Sequence, residues 1–297
     1  MRSEYLVEVP AEEREPEAVQ RLVSMPFLSE PLFASLGLMP AFSWYVLQLR
    51  TDRLVQNFKG DIDILAGKLS WSDPAAFEAL VEEERRQRPH SHPSWHYDIA
   101  ARKLASSGGI RWPPAMSLLV GIEAKCAYRA ATIKSAKSSR EKVQRMRLEL
   151  QKLLRIGCDR VALLDIIANP LTSGSDGQAW LAAASGASIS LDMMTKVLQE
   201  RLPQETQVGH WVWLSGSVAG GDETVRGAGA TLKLREAGDN PLLQMDPETQ
   251  TRRRAMEGKL VEILGSFARP SRFSVILLDC RTCGTIHDAD ETCGELE

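Results

Sequence analysis

Hydrophobic positions along the chain fall into short runs whose period changes. "WYVLQL" and "GDIDILAG" are apolar runs of strand length joined by the charged connection "RTDRLVQNFK", and "MSLLVGIEAK" is a third apolar run that ends in charge. Three early strands are expected. The stretch "SAKSSREKVQRMRLELQKLLRIG" then sets Val143, Met146, Leu150, Leu153 and Leu154 at helical spacing, opens on serines suited to capping and closes at Gly157. "DRVALLDIIANP" follows as a buried strand stopped by Asn-Pro. The order strand, strand, strand, helix, strand predicts an α/β core whose last strand returns to the same sheet by a right-handed crossover.

The rest of the chain is less regular. Residues 70–116 read as an insertion between the second and third strands, long enough for a lid or clamp: a helix over "DPAAFEALVEEERRQ", then "PHSHPSWHYDIAARKLASSGG". Past Pro170 a Gly/Ser-rich connection leads to a helix over "ISLDMMTKVLQERL", strands over "HWVWLSGSV" and "ATLKLRE", and a flexible loop, "AGGDETVRGAG", between those strands. A well-started helix, "DPETQTRRRAMEGKLVEILGSF", and a buried strand, "RFSVILLDC", come last. No internal repeat or long linker divides the chain. The expected organisation is a core over 1–168 that includes the insertion, an α/β portion over 169–279 packed on or extending it, and a cysteine-bearing tail over 280–297.

Composition narrows the class. With 297 residues, 43% hydrophobic and 25% charged, the chain has a globular balance. Its first residues, "MRSEYLVEVPAEEREPEAVQ", are acidic and lack the basic and apolar regions of a secretory signal, and no later run is long and apolar enough to span a bilayer. A soluble, cytoplasmic protein without a membrane partner is expected. Five cysteines, three of them in the last eighteen residues, make no disulfide framework for a chain of this length and fit a reducing compartment.

Charge is unevenly spread. Residues 125 to 160 hold eleven Lys or Arg against Glu141, Glu149 and Asp159, a balance of +8 inside a chain of net −3, which leaves −11 elsewhere. A concentrated positive patch is the footprint expected for a phosphate backbone, because each neutralised phosphate releases counterions. Lys134, Lys137, Arg140, Lys142, Arg145 and Lys152 are the candidate nucleic-acid contacts.

The chemistry is expected just before that patch. In an extended segment alternate side chains share a face, so Glu123 and Lys125 of "GIEAK" point the same way, as do Asp61 and Asp63 of "GDIDIL", opposite Ile62 and Ile64. Carboxylates at the end of a core strand are costly unless a cation compensates them. If the two strands are neighbours, Asp63 or Asp61 and Glu123 converge on one oxygen-liganded divalent ion, Mg²⁺ or Mn²⁺, with Lys125 beside the attacking water.

At these residues the chain resembles the PD-(D/E)xK phosphodiesterase superfamily, with its restriction-endonuclease-like fold. That signature is an acidic residue on the second core strand and Glu-x-Lys on the third, followed by a helix and another strand; "GDIDIL", "GIEAK", the basic helix and "VALLDI" occur in that order. The resemblance implies a mixed sheet flanked by helices and metal-dependent hydrolysis of a nucleic-acid phosphodiester, DNA before RNA. Asp63 and Glu123 would be metal ligands, with Asp61 the alternative aspartate, and Lys125 the catalytic lysine. Family members often add a residue on the following helix, for which Gln144 is the candidate, and an acidic residue on a first helix, for which Glu17 stands. The insertion between the motif strands departs from the minimal pattern.

A second constellation lies in "DCRTCGTIHDADETCG": Cys280, Cys283, His287 and Cys293, spaced C-x2-C-x3-H-x5-C, a set able to hold a tetrahedral Zn²⁺. It resembles the CCHC zinc knuckle, with the histidine one place early and no base-stacking aromatic. Lying far along the chain from the acidic motifs, it is expected to act on stability or partner binding. His90, His92 and His96 read as a polar loop and stay off the catalytic list, while Trp211 and Trp213 read as strand packing residues.

Two function classes follow. The first is a metal-dependent nuclease, in defence against foreign DNA or in DNA processing, with a homo-oligomer or an activating protein as further partner. The second is a non-catalytic nucleic-acid-binding or assembly protein that keeps a nuclease-like core and the knuckle. A Gly-rich phosphate loop ending in Gly-Lys-Ser or Gly-Lys-Thr does not occur, so ATP dependence would have to come from a partner.

Overall fold

A computed structural model describes residues 19–20, 23, 26–39, 42–91, 93–111, 116–127, 140–169, 207–218, 226–267, 274–289 and 291. The apolar runs pair into one mixed sheet of eight strands. β1 (Ser43–Arg50) lies antiparallel to β2 (Asp61–Lys68); the two-residue strands β3 (Ser70–Trp71) and β4 (Ile110–Arg111) form a separate ribbon. β2 lies antiparallel to β5 (Leu119–Ala127), β5 parallel to β6 (Arg160–Asn169), β6 parallel to β7 (Val208–Val218), and β7 antiparallel to β8 (Arg226–Arg235). On the other side of β1, β9 (Val275–Asp279) runs parallel to it and β10 (Ile286–Asp288) antiparallel to β9. All three segments of the chain thus contribute to one sheet, and the last strands cover the edge that β1 would otherwise expose.

Helices cover both faces. α1 (Pro26–Ser35) brings Leu32 and Phe33 onto the face that carries Tyr45, Leu47, Ile64, Ala124 and Leu164. The opposite face packs against α2 (Pro74–Gln87), α3 (Pro93–Ser106), α4 (Arg140–Ile156) and, after the single turn α5 (Leu242–Met245), α6 (Pro247–Ser266). α4 is the basic helix expected from the sequence. Its Met146, Leu150, Leu153 and Ile156 are buried at helical spacing, while Arg145 and Lys152 remain exposed. On α6, Met256, Leu260 and Leu264 form the equivalent stripe, and Asp246 caps the helix by accepting the Glu248 and Thr249 N–H groups.

The turn between α4 and β6 fixes how the helix approaches the sheet. Gly157 has φ +103°, a left-handed conformation that ends α4 without a Cβ penalty, and an added Cβ would stand 2.8 Å from the Cβ of Arg253. The buried Arg253 guanidinium donates to Gly157 O (2.8 Å), Asp159 (2.7 Å), Met116 O (2.8 Å) and Glu257 (2.7 Å), so each nitrogen of a cation taken out of water has an acceptor.

Two expectations need adjusting. The histidine segment is not all loop: Pro93 opens α3, and His96 is buried on it with Nε2 2.8 Å from Arg88 O, while His90 is exposed and His92 lies outside the described residues. Part of "AGGDETVRGAG", from Arg226 onward, belongs to β8. The expected helix over "ISLDMMTKVLQERL" lies outside the described residues. Trp211 and Trp213 are buried in the core, as their alternation with valine suggests.

Close packing across β1 and β2 gives one prediction. Gly67 is the register partner of Trp44, and a Cβ there would come 2.3 Å from the fully buried indole. Gly67→Ala is expected to destabilise the protein by about 2–3 kcal/mol through overpacking. A denaturant midpoint lowered at unchanged slope would record it, and an unchanged midpoint would mean that the indole has room to shift.

Candidate active site

β2 and β5 are neighbours, and the insertion does not part them. Their ladder runs from Gly67 opposite Leu119 to Ile64 opposite Ile122 and stops there. The next residues are Asp63 and Glu123. Where the ladder opens, the Asp63 carboxylate accepts the Ala124 N–H at 2.7 Å, replacing a strand bond by a charged one and fixing the acid at the end of the sheet. On the other side of β2 the ladder pairs Leu47 with Ile64 and Leu49 with Ile62, which puts Gln48 level with Asp63. Gln48 has φ +54°, uncommon for a residue with a side chain. Its Nε2 is buried and has no hydrogen-bond partner among the described residues. Both irregularities fall at the acidic end of the sheet.

A cavity of about 300 Å³ opens here, lined by Gln48, Gly60, Asp61, Asp63, Glu123 and Lys125 from the sheet and by Arg145, Glu149 and Lys152 from α4. Asp63 is 8% exposed and Glu123 4%, whereas Asp61 is exposed and forms an ion pair with Arg281 at 2.7 Å. Of the two aspartates, Asp63 is therefore the one held beside Glu123. Lys125 bridges Glu123 and Glu149, the latter at 3.5 Å, and Arg145 pairs with Glu149 at 3.2 Å. Burial, followed by the nearby Asp63 charge, pushes the Glu123 carboxyl up to about 9 in spite of the opposing effect of Lys125. Two carboxyl groups buried side by side need a proton or a cation to be stable there. Glu149 and Gln48 join the site although the sequence reading did not choose them. Gln48 left one signal, as the only polar residue within "WYVLQL".

Other sequence candidates are placed differently. Gln144 is exposed on α4 and is not among the residues lining this cavity. Arg145 and Lys152 do line it. Glu17, Lys134 and Lys137 lie outside the described residues, as do the side chains of Arg140 and Lys142.

At the far edge of the sheet, Cys280, Cys283 and His287 bring their ligand atoms within 4.8 Å of one another, a group with the donors and the closeness to hold a metal ion. The turn is built for it: Gly284 N–H donates to Cys280 O at 3.0 Å, Gly284 has φ +73°, and Cys280 N–H donates to Thr285 O at 2.9 Å. His287 Nδ1 lies 2.6 Å from Asp288 O, and contact with Cys280 raises the imidazole pKa. Cys293, the expected fourth ligand, lies outside the described residues. Cys158 is not a reactive thiol, because full burial pushes it up to about 12.

No protein-family model, curated protein or solved structure matches the chain. Among the described residues, no helix is long and apolar enough to cross a membrane.

Proposed function

We infer that the protein is a metal-dependent phosphodiesterase acting on nucleic acid, DNA before RNA, with Asp63 and Glu123 as ligands to Mg²⁺ or Mn²⁺. The observation that carries this reading is the pair of buried carboxylates at the open end of the β2–β5 ladder, with Lys125 beside them. The residues fit the ion: an all-oxygen donor set, a Glu123 carboxyl whose pKa burial and the Asp63 charge raise, and a cavity open to solvent beside them. The strand order is a further support. Asp63 on the second strand of the β1–β2–β5 set, Glu123 and Lys125 on the third, and then α4 and β6 follow the order that the PD-(D/E)xK resemblance calls for, and the restriction-endonuclease-like fold is proposed on that ground.

A divalent ion, when bound, neutralises charge on the phosphate and acidifies the attacking water. The chain supplies the rest. Lys125 Nζ, held between Glu123 and Glu149, donates toward the water or toward a phosphate oxygen as charge builds on it. Glu149 keeps that ammonium at the cavity. Water adds at phosphorus and gives one proton to solvent in the open cavity, one P–O ester bond breaks, and the leaving alkoxide takes one proton back from solvent. Arg145 and Lys152 reach the same cavity from α4 and are placed to meet the phosphates that flank the cut.

For the Cys280, Cys283 and His287 group, zinc is the proposed ion, since two thiolates and an imidazole are its preferred donors. Protein purified without chelators is expected to carry about one zinc per chain.

The test is cleavage of end-labelled DNA and RNA by the purified protein with Mg²⁺ or Mn²⁺. Strand scission that stops on chelation supports the reading. Tight nucleic-acid binding without scission in either metal would favour a non-catalytic binding protein. Arg145→Gln with Lys152→Gln is expected to weaken binding about equally for all sequences and to lower the slope of log affinity against log salt by about two. An unchanged slope would mean that this helix face does not touch phosphate.

A further inference from the structure

The cysteine turn does not stand apart from the acidic site. Asp279, at the end of β9, is buried and accepts the Arg50 N–H at 3.0 Å, Arg50 Nε at 3.3 Å and Arg53 Nε at 2.9 Å. Arg53 also donates to Gly284 O, inside the turn itself. Arg50 is the register partner of Asp61. Arg50 at the end of β1 and Arg53 in the turn after it therefore tie the cysteine turn to the connection that leads into β2. Arg281 stands between the ligands Cys280 and Cys283, and its guanidinium meets Asp61, which lines the cavity, at 2.7 Å.

We propose that the ion held by Cys280, Cys283 and His287 fixes Arg281 at the rim of the Asp63–Glu123 cavity, where the guanidinium takes a phosphate of the nucleic acid, Asp61 holding it in place until the phosphate arrives. This rests on the phosphodiesterase reading. A guanidinium fork matches two phosphate oxygens, and its strength depends on pre-set direction. The Arg281 and Asp61 side chains are 55% and 50% exposed, so the pair between them is weak and a phosphate can displace the carboxylate. Ordering of the turn by metal is what spares the arginine the entropy of a free loop. Arg145 and Lys152 approach the cavity from α4, so Arg281 adds a cation from a separate element and widens the phosphate track.

The experiment measures binding of a short fluorescent DNA duplex against NaCl concentration in Glu123→Gln protein, where cleavage does not interfere, together with zinc content. Arg281→Gln is expected to weaken binding about tenfold and lower the salt slope by about one. Arg281→Lys is expected to restore the slope but only part of the affinity. Cys283→Ser, exposed on its turn, is expected to lose the zinc and to weaken binding by the same factor, with no further loss when combined with Arg281→Gln. The proposal is overturned if Arg281→Gln leaves affinity and slope unchanged in Glu123→Gln protein that binds the duplex, the wild-type chain being able to cleave it, or if zinc is lost without change in affinity. A wild-type chain that neither binds nor cleaves nucleic acid would instead remove the phosphodiesterase reading, and this inference with it.

Discussion

Glu123→Ala and Asp63→Ala are each expected to lower metal-dependent cleavage by about 10³-fold or more, because a ligand withdrawn from a divalent ion removes both charge neutralisation and water activation. Folding should survive, since neither carboxylate packs into an apolar cluster and Glu123 stands at the edge of the cavity. Asp63→Ala also leaves the Ala124 N–H without its acceptor, so Asp63→Asn is the cleaner variant, keeping that hydrogen bond while removing the charge. Lys125→Ala acts differently. It removes the ammonium between Glu123 and Glu149 but leaves both proposed ligands in place, and is expected to slow turnover by about 10²–10³-fold with a smaller effect on metal affinity. Single-turnover rates together with metal titration separate the two effects. Lys125→Ala protein that cleaves at the wild-type rate would remove the lysine from the chemistry.

In metal-free protein, stability is expected to fall as pH rises from about 5 to about 9. The sign follows from proton counting. With the Glu123 carboxyl pushed up to about 9 from its ordinary 4.5, the native state holds a proton across this window that the unfolded chain has lost, so each rise in pH favours unfolding. The stability is complete below the unfolded value, declines through the window and levels off above about 9. At pH 7 the loss is on the order of 3 kcal/mol. Glu123→Gln removes this titration, so the metal-free variant is expected to be more stable than wild type at pH 8 and to lose the part of the decline that Glu123 causes. Mn²⁺ reverses the trend in wild type by stabilising the charged carboxylates, with an affinity that rises with pH as the proton is displaced. Thermal unfolding of chelated protein across pH measures this, and identical profiles for the two proteins would contradict it.

Much of the site was legible because burial makes charge conspicuous. Asp63 and Glu123 stand out at the ends of apolar runs, and the alternation of a strand is enough to put Lys125 on the same side as Glu123. Glu149 was not distinguishable in this way. It is one acid among many charges on an amphipathic helix, and only the approach of α4 to β5 brings it 3.5 Å from Lys125. Gln144, chosen from the family pattern, points to solvent because α4 is rotated so that Met146, Leu150 and Leu153 face the sheet. The position of the cysteine turn was least accessible. Its closeness to Asp61 depends on β9 pairing with β1 and on contacts such as Arg50 to Asp279, 229 positions apart, which no local period encodes.

The same limit applied to the insertion. Its length raised the prospect that β2 and β5 would be separated, yet α2 and α3 pack on the sheet face opposite α1, joined through the buried Glu84 to Arg88 and Lys103, and leave the two strands side by side. Sequence separation measures the entropy of closing a loop, which grows only slowly with length, and sets no distance between its ends.

Calorimetric titration of chelated protein with Mn²⁺ at pH 8, beside the Asp63→Asn, Glu123→Gln double variant, tests most directly whether these carboxylates form a divalent-metal site. The expected result is saturable Mn²⁺ binding to wild type, accompanied by proton release, that the double variant loses while folding as wild type does. Wild-type protein that takes up no Mn²⁺ in the presence or absence of nucleic acid, or a double variant that binds it undiminished, would contradict the account.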